Sequence, residues 1–325
     1  MSGLSLKKRL RERQGCRLPA PQGTTARGAG NLAPPEPALD FPGSRIVTTP
    51  QGTYLHLTEN RSGTFEVGGD PQKLYSCLEL LYGVGPYNAR KLREEGYTDL
   101  RSLVNHQRWG RQARKLVQAI ADGDIAYLGR FGADEYYLLG YFGSGDVVFL
   151  DLETTGLNGT RPLFLIGTMV QREGGLACQQ YLARSFDEEA AAVAAALEFL
   201  KGYPVWVSFN GRCFDAPYLR TRAEYYGMSF QQPILHIDLL SAARKLYRGI
   251  LPNCRLTTLE AYLLNRVRLD DVPGHLIPDL YHRFVVEQKP ELMLGILRHN
   301  VEDLYSLFQL MSLVRERQQM VQRVS

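Results

Sequence analysis

The pattern of apolar positions changes character several times along the chain. Residues 1–45 have no apolar period: PAPQGTTARGAGNLAPPEPALDFPG mixes Pro, Gly and Ala with basic side chains, a composition that predicts a disordered tail. RIVTT and TYLHLTE then alternate around PQG and predict a short β-hairpin within residues 46–70. Residues 71–128 take a helical pattern and 129–145 read as a linker. From 146 to 320, apolar β-rich runs alternate with helical patterns in a mixed α/β layer architecture. The strand candidates are DVVFLDLE, PLFLIGTMV, ACQQYLA, VWVSF and ILHID. Helices are expected over Asp187–Lys201, from Phe214, and over Leu239–Leu246, Leu256–Leu264, Pro278–Val286 and Glu291–Val314.

With 325 residues, 44% of them hydrophobic, two domains and a sizeable core are expected. The net charge of +4 is unevenly spread. Residues 1–45 hold eight Lys/Arg against three Asp/Glu and residues 71–120 hold nine against four, each +5, leaving −6 for the rest. A polyanion is therefore attracted to the N-terminal half, while the acidic remainder suits bound cations. The five cysteines are far apart and form no CxxC pair, which argues against a disulfide framework and for reduced thiols. No run reaches the roughly 20 apolar residues of a membrane span, and MSGLSLKKRLRERQ lacks a signal-peptide core, so a cytoplasmic protein without a membrane partner is expected.

In the helical stretch, Gly83, Val84, Gly85 and Ala89 follow the apolar-Gly-apolar-Gly pattern of a helix-hairpin-helix element, which this segment resembles. Glycines there permit a tight turn and present N–H groups at a helix N-terminus, where phosphate binds without base readout; Arg90, Lys91 and Arg93 add charge. An ordinary glycine-capped turn between helices is the alternative.

Three acidic motifs carry the candidate chemistry. In FLDLETTGL, Asp151 and Glu153 lie two apart on a strand and point to one face, where two carboxylates repel and a divalent cation is the natural partner. In SFNGRCFDAPYL, a strand ends at an Asn210-Gly211 turn leading to Asp215. In LRHNVEDLYSL, His299 and Asp303 are four apart on one helical face.

Together and in this order, the motifs resemble those of the DEDD 3′→5′ exonuclease superfamily, and more narrowly the YprB-type ribonuclease H-like domain. HIDLLSAARKLY, NCRLTTLEAYLL and DDVPGHLIPDLYHRF add to the likeness over about residues 146–315. The resemblance implies a ribonuclease H-like mixed five-stranded sheet flanked by helices, behind the small helical region and the tail. It further implies a nuclease releasing nucleoside 5′-monophosphates from a DNA or RNA 3′-end. Asp151, Glu153, Asp215 and Asp303 would hold two Mg²⁺ or Mn²⁺ ions, and His299 would be the general base. A nucleic-acid-binding protein of the same fold with little turnover is the alternative. One spacing departs from the family: the histidine subclass places its base five residues before the last Asp, whereas His299 lies four before Asp303.

Thr154 and Asn210 are candidate substrate contacts, as are Arg212 and Arg222 for phosphate or base. Tyr218 reads as core, and His236, His275 and His282 as structural. Asp238, Glu260, Asp270 and Asp271 lie near the cleft in sequence terms but stay outside the catalytic set, a solvent-facing Glu260 being one alternative.

Overall fold

The computed structural model describes residues 41–324, with side chains placed as far as residue 317. The expected tail thus lies, up to residue 40, outside the described residues. Its last positions do not: Phe41 is buried and a strand opens at Ser44.

One sheet organises the chain. Its strands are β1 (Ser44–Thr49), β2 (Gly52–Arg61), β3 (Val147–Thr154), β4 (Leu163–Arg172), β5 (Gly175–Leu182), β6 (Val205–Ser208) and β7 (Leu235–Asp238). They run in the order β1-β2-β5-β4-β3-β6-β7, antiparallel up to the β4–β3 pair and parallel across β3-β6-β7. The sheet has seven strands where five were expected. The hairpin makes the difference, because Leu55–Arg61 of β2 pair with Leu182–Leu176 of β5. Unpaired N–H and C=O groups along an exposed β5 edge would invite association, and β2 covers them.

Helices α1 (Pro86–Glu94), α2 (Gly110–Asp122), α3 (Ile125–Arg130) and α4 (Glu135–Leu138) precede β3. The last lies inside the stretch expected to be a linker. Asp134 caps it by accepting from the Tyr136 N–H at 2.9 Å, and Leu138 and Leu139 are buried, so the segment is packed structure. Then follow α5 (Glu189–Leu200), α6 (Asp215–Tyr225), α7 (Leu239–Tyr247), α8 (Leu256–Leu263), α9 (Ile277–Glu287) and α10 (Glu291–Val324).

The sheet is covered on both faces. Val147 and Phe149 of β3 enter one core with Ala243, Leu259, Leu304 and Leu307 from α7, α8 and α10. Val148, Leu150 and Leu152 enter the other with Ala192, Leu219 and Phe284 from α5, α6 and α9. A strand buried on both faces is normally apolar throughout. Asp151 and Glu153 break that rule, on the Phe149 face beneath α10.

Across from Asp151 in the β3–β4 register stands Gly167. A Cβ there would overlap the Asn300 side chain of α10, so only glycine leaves room for it. Gly167→Ala is expected to destabilise the protein by roughly 1–3 kcal/mol, the usual cost of overpacking. Gly145→Ala, where a Cβ meets open space, should stay within about 0.5 kcal/mol of wild type. Urea titration of both variants checks the pair.

Candidate active site

Four acidic residues from three separated segments meet beneath α10. Asp151 and Glu153 arrive on β3, Asp215 opens α6, and Asp303 descends from α10. The approach to Asp215 depends on a turn after β6. Asn210 takes a left-handed φ of 64°, and a Cβ on Gly211 would lie 2.9 Å from Asp215 Oδ2 and overlap Ser208. Asp238, at the end of β7, accepts from the backbone N–H groups of Asn210 at 2.9 Å and Arg212 at 3.4 Å. It also accepts from Leu240 and Ser241, so one buried carboxylate both pins the turn and caps α7.

The electrostatics are those of crowded anions. Burial raises the Asp151 carboxyl well above its ordinary range, and Asp303, Glu153 and Asp215 raise it further; Asn300 opposes them, donating to Asp151 Oδ2 at 2.8 Å. Glu153 is likewise pushed well up, first by burial and then by Asp303, Asp215 and Asp271. Asp215 is raised to about 7 by burial, with Asp238 and Asp303 adding to it against backbone hydrogen bonds at Asp215 and Leu152. Among the described residues, Asp151, Glu153 and Asp215 form no ion pair with Lys, Arg or His.

Asp303 differs, since it has cationic company. Arg268 reaches its Oδ1 at 2.6 Å, while His299 Nε2 stands 3.7 Å from Oδ2. Burial raises Asp303, and His299 and Arg268 oppose that rise. The spacing of four does put His299 and Asp303 on a shared face. His299 Nδ1 lies 2.8 Å from Asp271 Oδ1; an ionised carboxylate only accepts, so Nδ1 is the donor there, and Nε2 faces Asp303. Arg268 in turn is anchored by Glu260, to which Arg266 and Ser306 also bond. Glu260 is 1% exposed. It does not face solvent, because two guanidinium groups and a hydroxyl replace water around it.

Other expectations fare unevenly. Arg222 is buried and held by Glu189 at 2.6 and 2.7 Å, which removes it from substrate contact. Tyr218 is core, with its hydroxyl donating to the Arg161 carbonyl. His236 shares a 2.7 Å hydrogen bond with Ser208 and is pushed down to about 4 by burial. The Thr154 hydroxyl donates to the Gly156 carbonyl at 2.7 Å and shapes its turn, while Asn210 is exposed. Gly83 is left-handed at φ 77° and Gly85 caps α1, with Ala89 buried and Arg90, Lys91 and Arg93 exposed. Only two short 3-10 turns, Pro71–Ser76 and Leu78–Leu80, precede those glycines, so a full first helix of the expected hairpin is missing there. Asn300, Arg268 and Asp271 were not placed in the site from sequence. Asn300 alone carried a signal, its position between His299 and Asp303.

Among the described residues, no three His, Cys, Asp or Glu side chains are arranged to hold a metal ion as they stand. The donor chemistry nonetheless fits a divalent cation. Three mutually repelling carboxylates lack a counter-charge, and the fourth gives one oxygen to an arginine. A testable consequence follows from Asp215. Its carboxyl holds its proton up to about 7 when folded, against an ordinary value of 3.8. Below 3.8 that contribution to stability is complete, and it is lost as pH rises through about 7. In EDTA, Tm should therefore fall between about pH 4 and pH 7. Asp215→Asn should flatten that fall and raise Tm at pH 8, as read by differential scanning fluorimetry.

A family model described as RNase_H superfamily matches residues 148–315, just over half of the chain. A Bacillus subtilis (strain 168) protein described as "Uncharacterized protein YprB" is 34% identical over 175 residues, covering 52% of this chain and 42% of its own length. The chain thus spans less than half of that relative. Among solved structures, the family B DNA polymerase from the hyperthermophilic archaeon Pyrobaculum calidifontis aligns with a TM-score of 0.42 and 18% identity, over 51% of this chain and 24% of the polymerase. All four carboxylates lie within the matched span, and the chain belongs to the ribonuclease H superfamily, with a sequence similar to that of YprB over about half its length.

Proposed function

We propose that the chain is a divalent-metal-dependent 3′→5′ exonuclease, hydrolysing phosphodiester bonds of nucleic acid and releasing nucleoside 5′-monophosphates. The observation that carries this reading is the electrostatic coupling of Asp151, Glu153, Asp215 and Asp303 beneath α10 in a chain of this superfamily. Asp151, Glu153 and Asp215 would hold Mg²⁺ or Mn²⁺, with the free oxygen of Asp303 beside them. Two such ions would supply activation of water and stabilisation of the leaving 3′-oxygen.

The chain's own groups do the rest. Asn300 orients Asp151, and Asp238 fixes the turn that aims Asp215. His299, with Nδ1 engaged by Asp271, presents Nε2 to take the proton of the attacking water. Arg90, Lys91 and Arg93, beside Gly83 and Gly85, would grip the nucleic-acid backbone outside the site; Thr154 and Asn210 flank the carboxylates as substrate contacts. A second reading, a binding protein with weak turnover, draws on one observation: Asp303 is already ion-paired with Arg268.

Oligonucleotides labelled near the 3′-end, single-stranded and duplex, incubated with Mn²⁺ decide between the two. Mononucleotide release that disappears in Asp151→Ala is expected, and His299→Ala should lose about 10²- to 10⁴-fold in rate. Absence of cleavage, or equal cleavage by Asp151→Ala, would favour the second reading. For the basic segment, Lys91→Ala with Arg93→Ala should flatten the salt dependence of duplex-DNA affinity by roughly 1.8 in the log–log slope, about 0.9 per phosphate contact. An unchanged slope would remove both residues from the contact surface.

A further inference from the structure

An open groove of about 990 Å³ lies between the α3–α4 segment and the β7–α7 segment. Arg212, which lines the groove, belongs to the turn leading into Asp215; its Nε donates to the carbonyl of His236, another lining residue, at 2.8 Å, and its backbone N–H donates to Asp238. We propose that this groove carries the single-stranded segment of a nucleic acid toward the carboxylates, with phosphates against Arg130 and Lys245 and a polar nucleotide atom on the Tyr136 hydroxyl. The proposal rests on the exonuclease reading and adds the path by which its substrate enters.

Three observations support this occupant. The first is charge. Both acids lining the groove are engaged: Asp134 caps α4, and Glu135 pairs with Arg212. Arg130 and Lys245 line the same groove, are exposed, and form no ion pair among the described residues. An anionic backbone meets two cations without carboxylate partners there, Arg130 lying over the Tyr127 ring at 5.4 Å.

The second observation is the Tyr136 hydroxyl, which is buried and has no hydrogen-bond partner among the described residues. A buried hydroxyl without a partner is costly, and a ligand atom that bonds to it relieves that cost. The third is size and lining. The volume is at the top of the roughly 300–1,000 Å³ range of ligand pockets, which suits nucleotides in single file and not a duplex. Ile234, 58% exposed, adds an apolar surface to the groove before the edge strand β7.

The test reads binding in Ca²⁺, which occupies oxygen-ligand sites while supporting little turnover, by fluorescence anisotropy of a labelled twelve-nucleotide single strand and a trinucleotide. Arg130→Gln with Lys245→Gln should weaken the long strand at least 5-fold and reduce its salt slope by about 1.4, some 0.7 per contact. The trinucleotide, which ends within the carboxylate site, should change less than 2-fold. Tyr136→Phe should lower long-strand affinity about 3-fold while leaving Tm equal or higher, whereas a tyrosine with a purely structural role would show no affinity loss. Unchanged long-strand affinity in both variants, or equal losses for the two ligands, overturns the proposal. A protein whose long-strand binding depends on the groove, yet which leaves that strand intact in Mn²⁺, would sink the exonuclease reading and leave the groove standing.

Discussion

Repulsion among buried carboxylates is the constraint around which the rest of the site is arranged. Asp151 and Glu153 occupy a strand covered on both faces, where every other side chain of Val147–Leu152 is apolar. Like charges in such a place keep their protons or find a counter-charge, and burial penalises the bare anions. The local architecture answers with donors. Asn300 reaches Asp151 only because Gly167 leaves the opposite strand without a side chain, and Gln180 holds Asn300 from behind at 2.9 Å. A glycine on β4, an amide on β5 and an amide on α10 thus serve one carboxylate on β3.

The Asp303 side is built on a different principle. Arg268 is shared between Asp303 and the fully buried Glu260, so the guanidinium is committed to a network and does not simply neutralise one acid. Networks of this kind are costly to desolvate and tolerate the loss of a member poorly, because the partner is left charged and buried. The same arrangement sets His299, since Asp271 contacts both the imidazole at 2.8 Å and Arg268 at 3.5 Å. The α8–α9 connection therefore bears directly on the chemistry of α10.

Much of this was readable along the chain. The alternation of apolar runs locates β3 to β7 and the helices between them almost to the residue, because burial on two faces enforces an uninterrupted apolar pattern. DxE on a strand and HxxxD on a helix mark the acids, since spacing within one element fixes which face a side chain takes. What stayed hidden depends on partners distant in sequence. Nothing in TYLHLTE tells that its strand pairs with β5, and nothing in TLEAY distinguishes a solvated Glu260 from one enclosed by Arg266 and Arg268. Arg222 is the converse case. An arginine about two turns beyond Asp215 reads as a phosphate or base contact until Glu189, thirty-three positions earlier, takes two of its three nitrogens. Four-residue α4 escaped because it is too short for a helical period to show.

Charge along the chain has one further consequence for an anionic substrate. A site of uncompensated carboxylates repels phosphates until cations fill it, so attraction has to come from elsewhere on the surface. The excess of nine basic over four acidic residues in 71–120 would provide it at a distance, since none of those residues lies in the acidic cluster. Arg130 and Lys245 extend the positive surface toward Arg212, next to the turn that ends at Asp215. On the proposed reading, attraction and chemistry would fall on different surfaces. A strand held by the first would be brought to the second without the acidic site weakening its own hold on metal by carrying the basic residues itself. Arg268 is the exception within the site, and Glu260 offsets its charge there.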